Sequence, residues 1–275
     1  MFEQFKSFNE DVFEIAPFGE REHGLIKVLC AFSKDSKVLP ITWRVASSVL
    51  GGDSWFSSII QSAKFGITGE LAIQSTMNAV VKFCSDAVNS DDSLKGVFEG
   101  KDFDFGSFIG GILSHSNEAL FNFSEKFKQE NGLATRVIVA VCCKGNLAIV
   151  GSQPLASFLW RDGKLFAFFK EDANADSNEN CVLSGGESVC GFVASTSVKE
   201  GDILILSNMK QCKKIYDIVE TVMNESRKLE SATLSSRAWQ ICSSCADAYV
   251  HLKEDISYGA IPHVMIKSVV ESSVK

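Results

Sequence analysis

At 275 residues with 45% hydrophobic side chains, the chain is long enough to bury a large core, as one domain or two. A net charge of −7 and an isoelectric point near 5.2, with lysines and arginines scattered rather than clustered, exclude nucleic acid and anionic membrane as main partners. Nine cysteines, several inside apolar runs (Cys30, Cys84, Cys142, Cys143), describe thiols used as small hydrophobes in a reducing, cytoplasmic setting rather than a disulfide framework.

The opening MFEQFKSFNED has no basic stretch leading into an apolar core. No segment approaches the roughly 18 apolar residues of a membrane span, so none is expected. Val12 to Ile15 reads as a short strand and Leu25 to Phe32 as a longer one. Trp43 to Leu50 reads as a helix stopped by Gly51-Gly52. From Leu71 to Val88 the set Ala72, Thr76, Ala79, Val80, Phe83 and Ala87 forms one helical stripe, ended by the polar run from Asn89 to Ser93. Residues 93–111, rich in glycine and phenylalanine, read as an insertion or structured loop, and Ile112 to Gln129 as a second helix with Asn131-Gly132 as its stop.

The most readable stretch runs from Thr135 to Leu165. Val137 to Cys142, Leu147 to Val150 and Ser157 to Trp160 are short apolar runs separated by turn residues, which is the signature of buried strands. Asp162-Gly163 supplies positive φ cheaply before the strand-like LFAFF, so a hairpin belongs there. The expectation is a meander of three or four strands within one sheet. Residues 171–188 are polar and acidic, a loop whose functional reading is a partner-binding flap. Ile203 to Leu206 is a buried strand after the Gly201-Asp202 turn. Two apolar stripes follow, Ile215, Val219, Val222, Met223 and then Leu234, Ala238, Ile241, Cys245, Tyr249, and Val264 to Val270 closes the chain as a strand. Strands, two helices, strands, two helices and a last strand make an α+β protein, read as a single domain over residues 1–275.

This order, with several local phrases, resembles the metal-dependent type 2C serine/threonine protein phosphatases in their compact bacterial form. The phrases that carry the resemblance are Asn9-Glu10-Asp11, Gly132 to Thr135, Val150-Gly151-Ser152-Gln153-Pro154, Trp160 to Leu165, a weaker match at Lys170 to Asn174, Val198 to Met209, and Gly259 to Ile266. The resemblance implies a four-layer αββα sandwich of two mainly antiparallel sheets, and in active members a pair of manganese or magnesium ions held by aspartates that activate a water. Here those positions have changed. Ser33-Lys34 stands where an Asp-Gly is expected, Ser152 and Asn208 each replace an aspartate, and Gly259-Ala260 replaces Asp-Asn; Glu10 and Asp11 remain as the only clear metal-site remnant. The expectation is a pseudophosphatase with no catalytic residues and no cofactor, acting as a regulatory module on a protein partner in a phosphorylation pathway.

Two other readings compete. The chain could be an active manganese- or magnesium-dependent phosphatase using Glu10, Asp11, Asp35 and Asp53 as unusual ligands. It could also be an N-terminal-nucleophile hydrolase in which Thr135 is freed by cleavage. Cys242-Ser-Ser-Cys245 has redox or zinc spacing, but it lies in a helical stripe without a second pair and reads as core. The histidines His23, His115, His251 and His263 are scattered and suggest no site.

Overall fold

The computed structural model describes residues 5–9, 12–15, 27–30, 43–51, 54–62, 66–89, 105–127, 133–143, 145–169, 183–186, 189, 191–227, 234–251 and 263–268. They group into two compact units. One takes residues 1–40, 155–171 and 199–275, the other residues 41–154 and 172–198.

The second unit is built on a five-stranded antiparallel sheet in the order β10-β7-β6-β5-β4, comprising β4 (Trp43–Gly51), β5 (Ser54–Ser62), β6 (Thr135–Cys143), β7 (Asn146–Gly151) and β10 (Phe192–Ser197). Helices α1 (Gly66–Asn89) and α2 (Phe105–Phe127) pack on it and on each other. Strand β6 explains the sheet. Val137, Val139 and Val141 enter the core shared with Ala72, Ile73, Val80, Ile112 and Leu120 of the helices, while Ile138 and Ala140 on the opposite face are equally buried. A strand buried on both sides reads as a continuous apolar run rather than an alternation, which is why it stands out in the sequence.

The first unit holds the sheet β3-β12-β11-β8-β9, with β3 (Lys27–Cys30), β8 (Leu155–Arg161), β9 (Lys164–Ala167), β11 (Ile203–Lys210) and β12 (His263–Ser268). It also holds the hairpin of β1 (Phe5–Asn9) and β2 (Val12–Ile15). Helices α3 (Lys213–Arg227) and α4 (Leu234–His251) cover the five-stranded sheet. Their stripes are buried as the periodicity requires: Ile215, Val219, Val222 and Met223 from α3, with Ala238, Ile241, Cys242 and Cys245 from α4, join Phe158, Ile205 and Val264 in one core. The Asp162-Gly163 turn adopts φ of 52° and 77°, the left-handed pair of a two-residue hairpin.

Three expectations change. The segment Trp43 to Leu50 is not a helix but strand β4, paired residue by residue with β5, so Ser47 lies opposite Ser57 and Val49 opposite Trp55. Its weak intrinsic preference is overridden by a neighbour rich in aromatic and β-branched residues. The helix expected from Ile112 begins at Phe105, so part of the presumed insertion at 93–111 is helical; Phe108 is anchored in the core, and residues 93–104 lie outside the described residues. The meander is split between sheets, with β6-β7 in one and β8-β9 in the other. The cause is local. Gly151 cannot carry a side chain, because a Cβ there would come 2.6 Å from the Gln153 carbonyl oxygen, and Pro154 has no N–H to continue a ladder. Strand β10, absent from the sequence reading, completes the edge beside β7.

Candidate functional site

The positions that the resemblance assigns to metal holding fall on both units. Glu10, Asp11, Ser33, Lys34, Asp35, Asp53, Gly259 and Ala260 lie outside the described residues. What is described is the framework beside them. In the first unit, antiparallel pairing sets Cys30 at the end of β3 opposite His263 at the start of β12, and Leu29 and Ser207 on either side of Val264. Thus one end of three adjacent strands gathers the backbone that leads to Ser33-Lys34, the backbone that follows Gly259-Ala260, and Asn208 itself.

Asn208 is positioned by an irregularity. Between Leu206 and Lys210, β11 advances four residues while β8 advances only two, from Ser157 to Leu155. Such a bulge re-aims side chains and is common beside functional sites. Within it the Met209 N–H donates to Ser207 Oγ at 3.3 Å, and Ser207, Asn208 and Met209 are all buried. Asn208 at this point is neutral where the resemblance calls for a carboxylate.

In the second unit, Ser152 extends the β6-β7 ladder beyond the last strand pair, Ile138 with Gly151. Its N–H donates to the Val137 carbonyl oxygen at 2.9 Å, and its Oγ accepts the Val137 N–H at 3.1 Å. The hydroxyl therefore replaces a backbone carbonyl as the next acceptor, at zero exposure. A neutral buried hydroxyl held in this way does not fit a hard divalent cation, which needs several charged oxygens. Among the described residues, no group of three or more His, Cys, Asp or Glu side chains is placed to hold a metal ion.

Thr135 is likewise buried. Its Oγ1 lies 3.1 Å from that of Thr76, and its N–H and carbonyl both pair with Leu183. That arrangement serves the fold. Cys242 and Cys245 are wholly buried in the α4 core, and burial pushes the Cys245 thiol far up, with Cys242 and Cys212 adding to the shift. A thiol held in its neutral form is unreactive, so the CxxC spacing is structural.

Two features escape sequence reading because their partners are distant in the chain. Asn117 on α2 accepts the N–H groups of Ser184 and Gly185 at 3.2 and 2.8 Å and donates to the Gly186 carbonyl at 2.8 Å, fastening the end of the acidic loop to the helix. Asp202, 1% exposed, accepts Arg161 Nε–H at 2.8 Å and pairs with its Nη2, while its Oδ2 accepts the Lys199 N–H at 2.8 Å. The bond to Asp202 holds the Arg161 guanidinium above its ordinary pKa. The Gly-Asp pair that supported the resemblance thus locks a turn onto a hairpin.

With this geometry in view, the likeness to solved structures is specific. The chain matches a Mycobacterium tuberculosis serine/threonine phosphatase, PstP/Ppp, at TM-score 0.53 and 15% identity, over 83% of this chain and 98% of that one. A bacterial serine phosphatase variant matches at TM-score 0.59 and 10% identity, over 91% and 100%. The Pseudomonas aeruginosa protein PppA, described as a key regulatory component of a type VI secretion system, matches at 0.51 and 9%, over 84% and 97%. No protein-family model matches the chain. No curated protein sequence matches it. The fold is that of the type 2C serine/threonine phosphatases, in the α+β class expected from the order of elements. PstP has also been solved in complex with two manganese ions.

Proposed function

We propose that this chain is a catalytically silent type 2C phosphatase-like domain that binds a protein of a phosphorylation pathway and regulates it. The observation that carries the reading is the state of Ser152, a position where the resemblance places a metal-holding aspartate. Its hydroxyl is neutral, buried and committed to the Val137 N–H. Asn208 repeats the loss of charge on the other sheet. The setting is proposed to be the reducing cytoplasm, in keeping with Cys84, Cys142, Cys212, Cys242 and Cys245, none of which is in a disulfide. No described helix is long and apolar enough to cross a membrane.

The test is hydrolysis of p-nitrophenyl phosphate with and without manganese, beside the Asp11→Ala variant and a calorimetric manganese titration. The expected result is a rate equal to the protein-free control, the same for both proteins, and no saturable manganese binding. Manganese-dependent turnover that disappears in Asp11→Ala would establish the second reading instead, an active phosphatase in which Glu10, Asp11, Asp35 and Asp53 supply the carboxylates. The manganese-bound relative is what favours that alternative.

A further inference from the structure

The two five-stranded sheets end on four strands, β4 and β10 in the second unit and β3 and β9 in the first. An edge strand offers a row of unpaired backbone groups, and proteins guard such rows with charged side chains, lysine above all. Strand β3 carries Lys27, β4 Arg44 and β9 Lys164, whereas β10, FVASTS, has neither a charge nor a proline. Its side chains alternate between half-buried and exposed, and Val193 is 49% exposed.

The pairing of β10 shows which of its groups are on offer. Phe192 lies opposite Gly151 and Ser197 opposite Asn146, and one step further the Val198 N–H donates to the Gly145 carbonyl at 2.8 Å. Bonded residues alternate along an antiparallel pair, so Thr196, Ala194 and Phe192 bond to β7 as Val198 does. Val193 and Ser195 therefore turn their N–H and C=O groups away from β7, to the side on which no described strand lies. The chain ahead of β10 is held, because Asn117 fastens residues 184–186 to α2. An edge fixed in this way loses little conformational freedom on binding.

What completes such an edge is an extended strand, joined through main-chain hydrogen bonds. Its charge follows from the sequence. Residues 171–198, which lead into β10 and include it, hold Glu171, Asp172, Asp176, Glu179 and Glu187 and no lysine or arginine. A second copy of the chain would bring two such acidic segments together, whereas a basic strand is complementary to them.

We propose that β10 accepts a basic, extended segment of a protein partner as a further strand of the sheet, bonded to the backbone of Val193 and Ser195. This rests on the reading of the chain as a protein-binding module and names the chemistry of what it binds. The residue set beside Val193 is apolar, and its neighbours along the strand carry lysine or arginine.

The test is calorimetric titration of the full chain with two pools of short peptides. In both, β-branched residues alternate with charged ones, lysine or arginine in the first pool and aspartate or glutamate in the second. The expected result is saturable binding of the basic pool with a dissociation constant of roughly 10–500 μM, as suits a contact below the ordinary interface size. The acidic pool should bind at least about tenfold more weakly. On addition of the basic pool, hydrogen exchange should slow at the Val193 and Ser195 amides. Ser195→Pro removes an outward N–H and no bond to β7, and should weaken binding about tenfold or more. Val193→Lys, at an exposed side chain that leaves the backbone intact, should weaken it about fivefold. Absence of saturable binding up to about 2 mM overturns the proposal. So does binding indifferent to both variants, or equal for the two pools. Self-association of the chain alone that Ser195→Pro abolishes would make a second copy the occupant and overturn it as well. Manganese-dependent turnover, which would overturn the silent-phosphatase reading, is independent of all these outcomes.

Discussion

A single side chain can weigh on a proposed function more clearly than a missing ligand, because it shows what the atom now does. Ser152 Oγ accepts a ladder hydrogen bond at zero exposure, and Asn208 is a neutral amide only 4% exposed. Asn208→Asp would bury a charge in the β11 bulge, and urea denaturation at pH 7 should show a loss of about 2–3 kcal/mol. The loss should shrink as pH falls and the new carboxyl protonates; on the pseudophosphatase reading, manganese should not restore it. Asp202→Ala should cost a similar 2–3 kcal/mol, since it removes the carboxylate that accepts from Arg161 and from the Lys199 N–H, with Arg161 partly relieved by its access to water. Cys84, in the α1 core, has its thiol pushed up to about 12 by burial, from an ordinary 9.0. A raised folded pKa gives stability that is complete below the unfolded value and lost on the way up to the folded one. Stability should therefore fall between pH ~9 and ~12, with this residue contributing a slope of about 1.4 kcal/mol per pH unit that Cys84→Val removes. At neutral pH, the native thiol should resist maleimide.

At the level of elements, what could be read in advance followed local rules. The helix stripes of α1, α3 and α4, the β6 run and the Asp162-Gly163 hairpin depend on spacings within a few residues, and each is present among the described residues, with the side chains of Ala87 and Tyr249 outside them. Strand β4 is not legible locally because its identity comes from β5, and the split of β7 from β8 is hidden because it depends on a close approach at Gly151. Of the candidate site, the changed residue types at Ser152 and Asn208 were visible in the letters. The hydroxyl's ladder role was not, because Val137 lies fifteen residues away. The clamp on residues 184–186 was invisible for the same reason. Asn117→Ala removes three hydrogen bonds at once and should cost about 1–2 kcal/mol. Hydrogen exchange should report it locally, with faster exchange at Ser184 and Gly185 and little change at Thr135, whose pairing with Leu183 is made by backbone alone.

For the whole molecule, the decisive fact is that neither unit is one continuous stretch of chain. The second unit needs β10, drawn from residues beyond 172, and the first needs strands from both ends. A fragment limited to residues 41–154 lacks β10 and the Leu183 bridge to Thr135, so its circular dichroism should show no cooperative melt.

The sheet order β3-β12-β11 has a consequence for biosynthesis. Its position between β3 and β11 is filled by His263–Ser268, which is the last in chain order among the described strands. Until β12 is made, β3 and β11 each present an open edge, and Ile205 and Leu206 have no neighbour on that side. Unpaired apolar edges of this kind invite association with other nascent chains. Folding of this unit therefore waits until synthesis has passed residue 268, and a chain stopped at residue 262 should be retained by chaperones or found in the insoluble fraction.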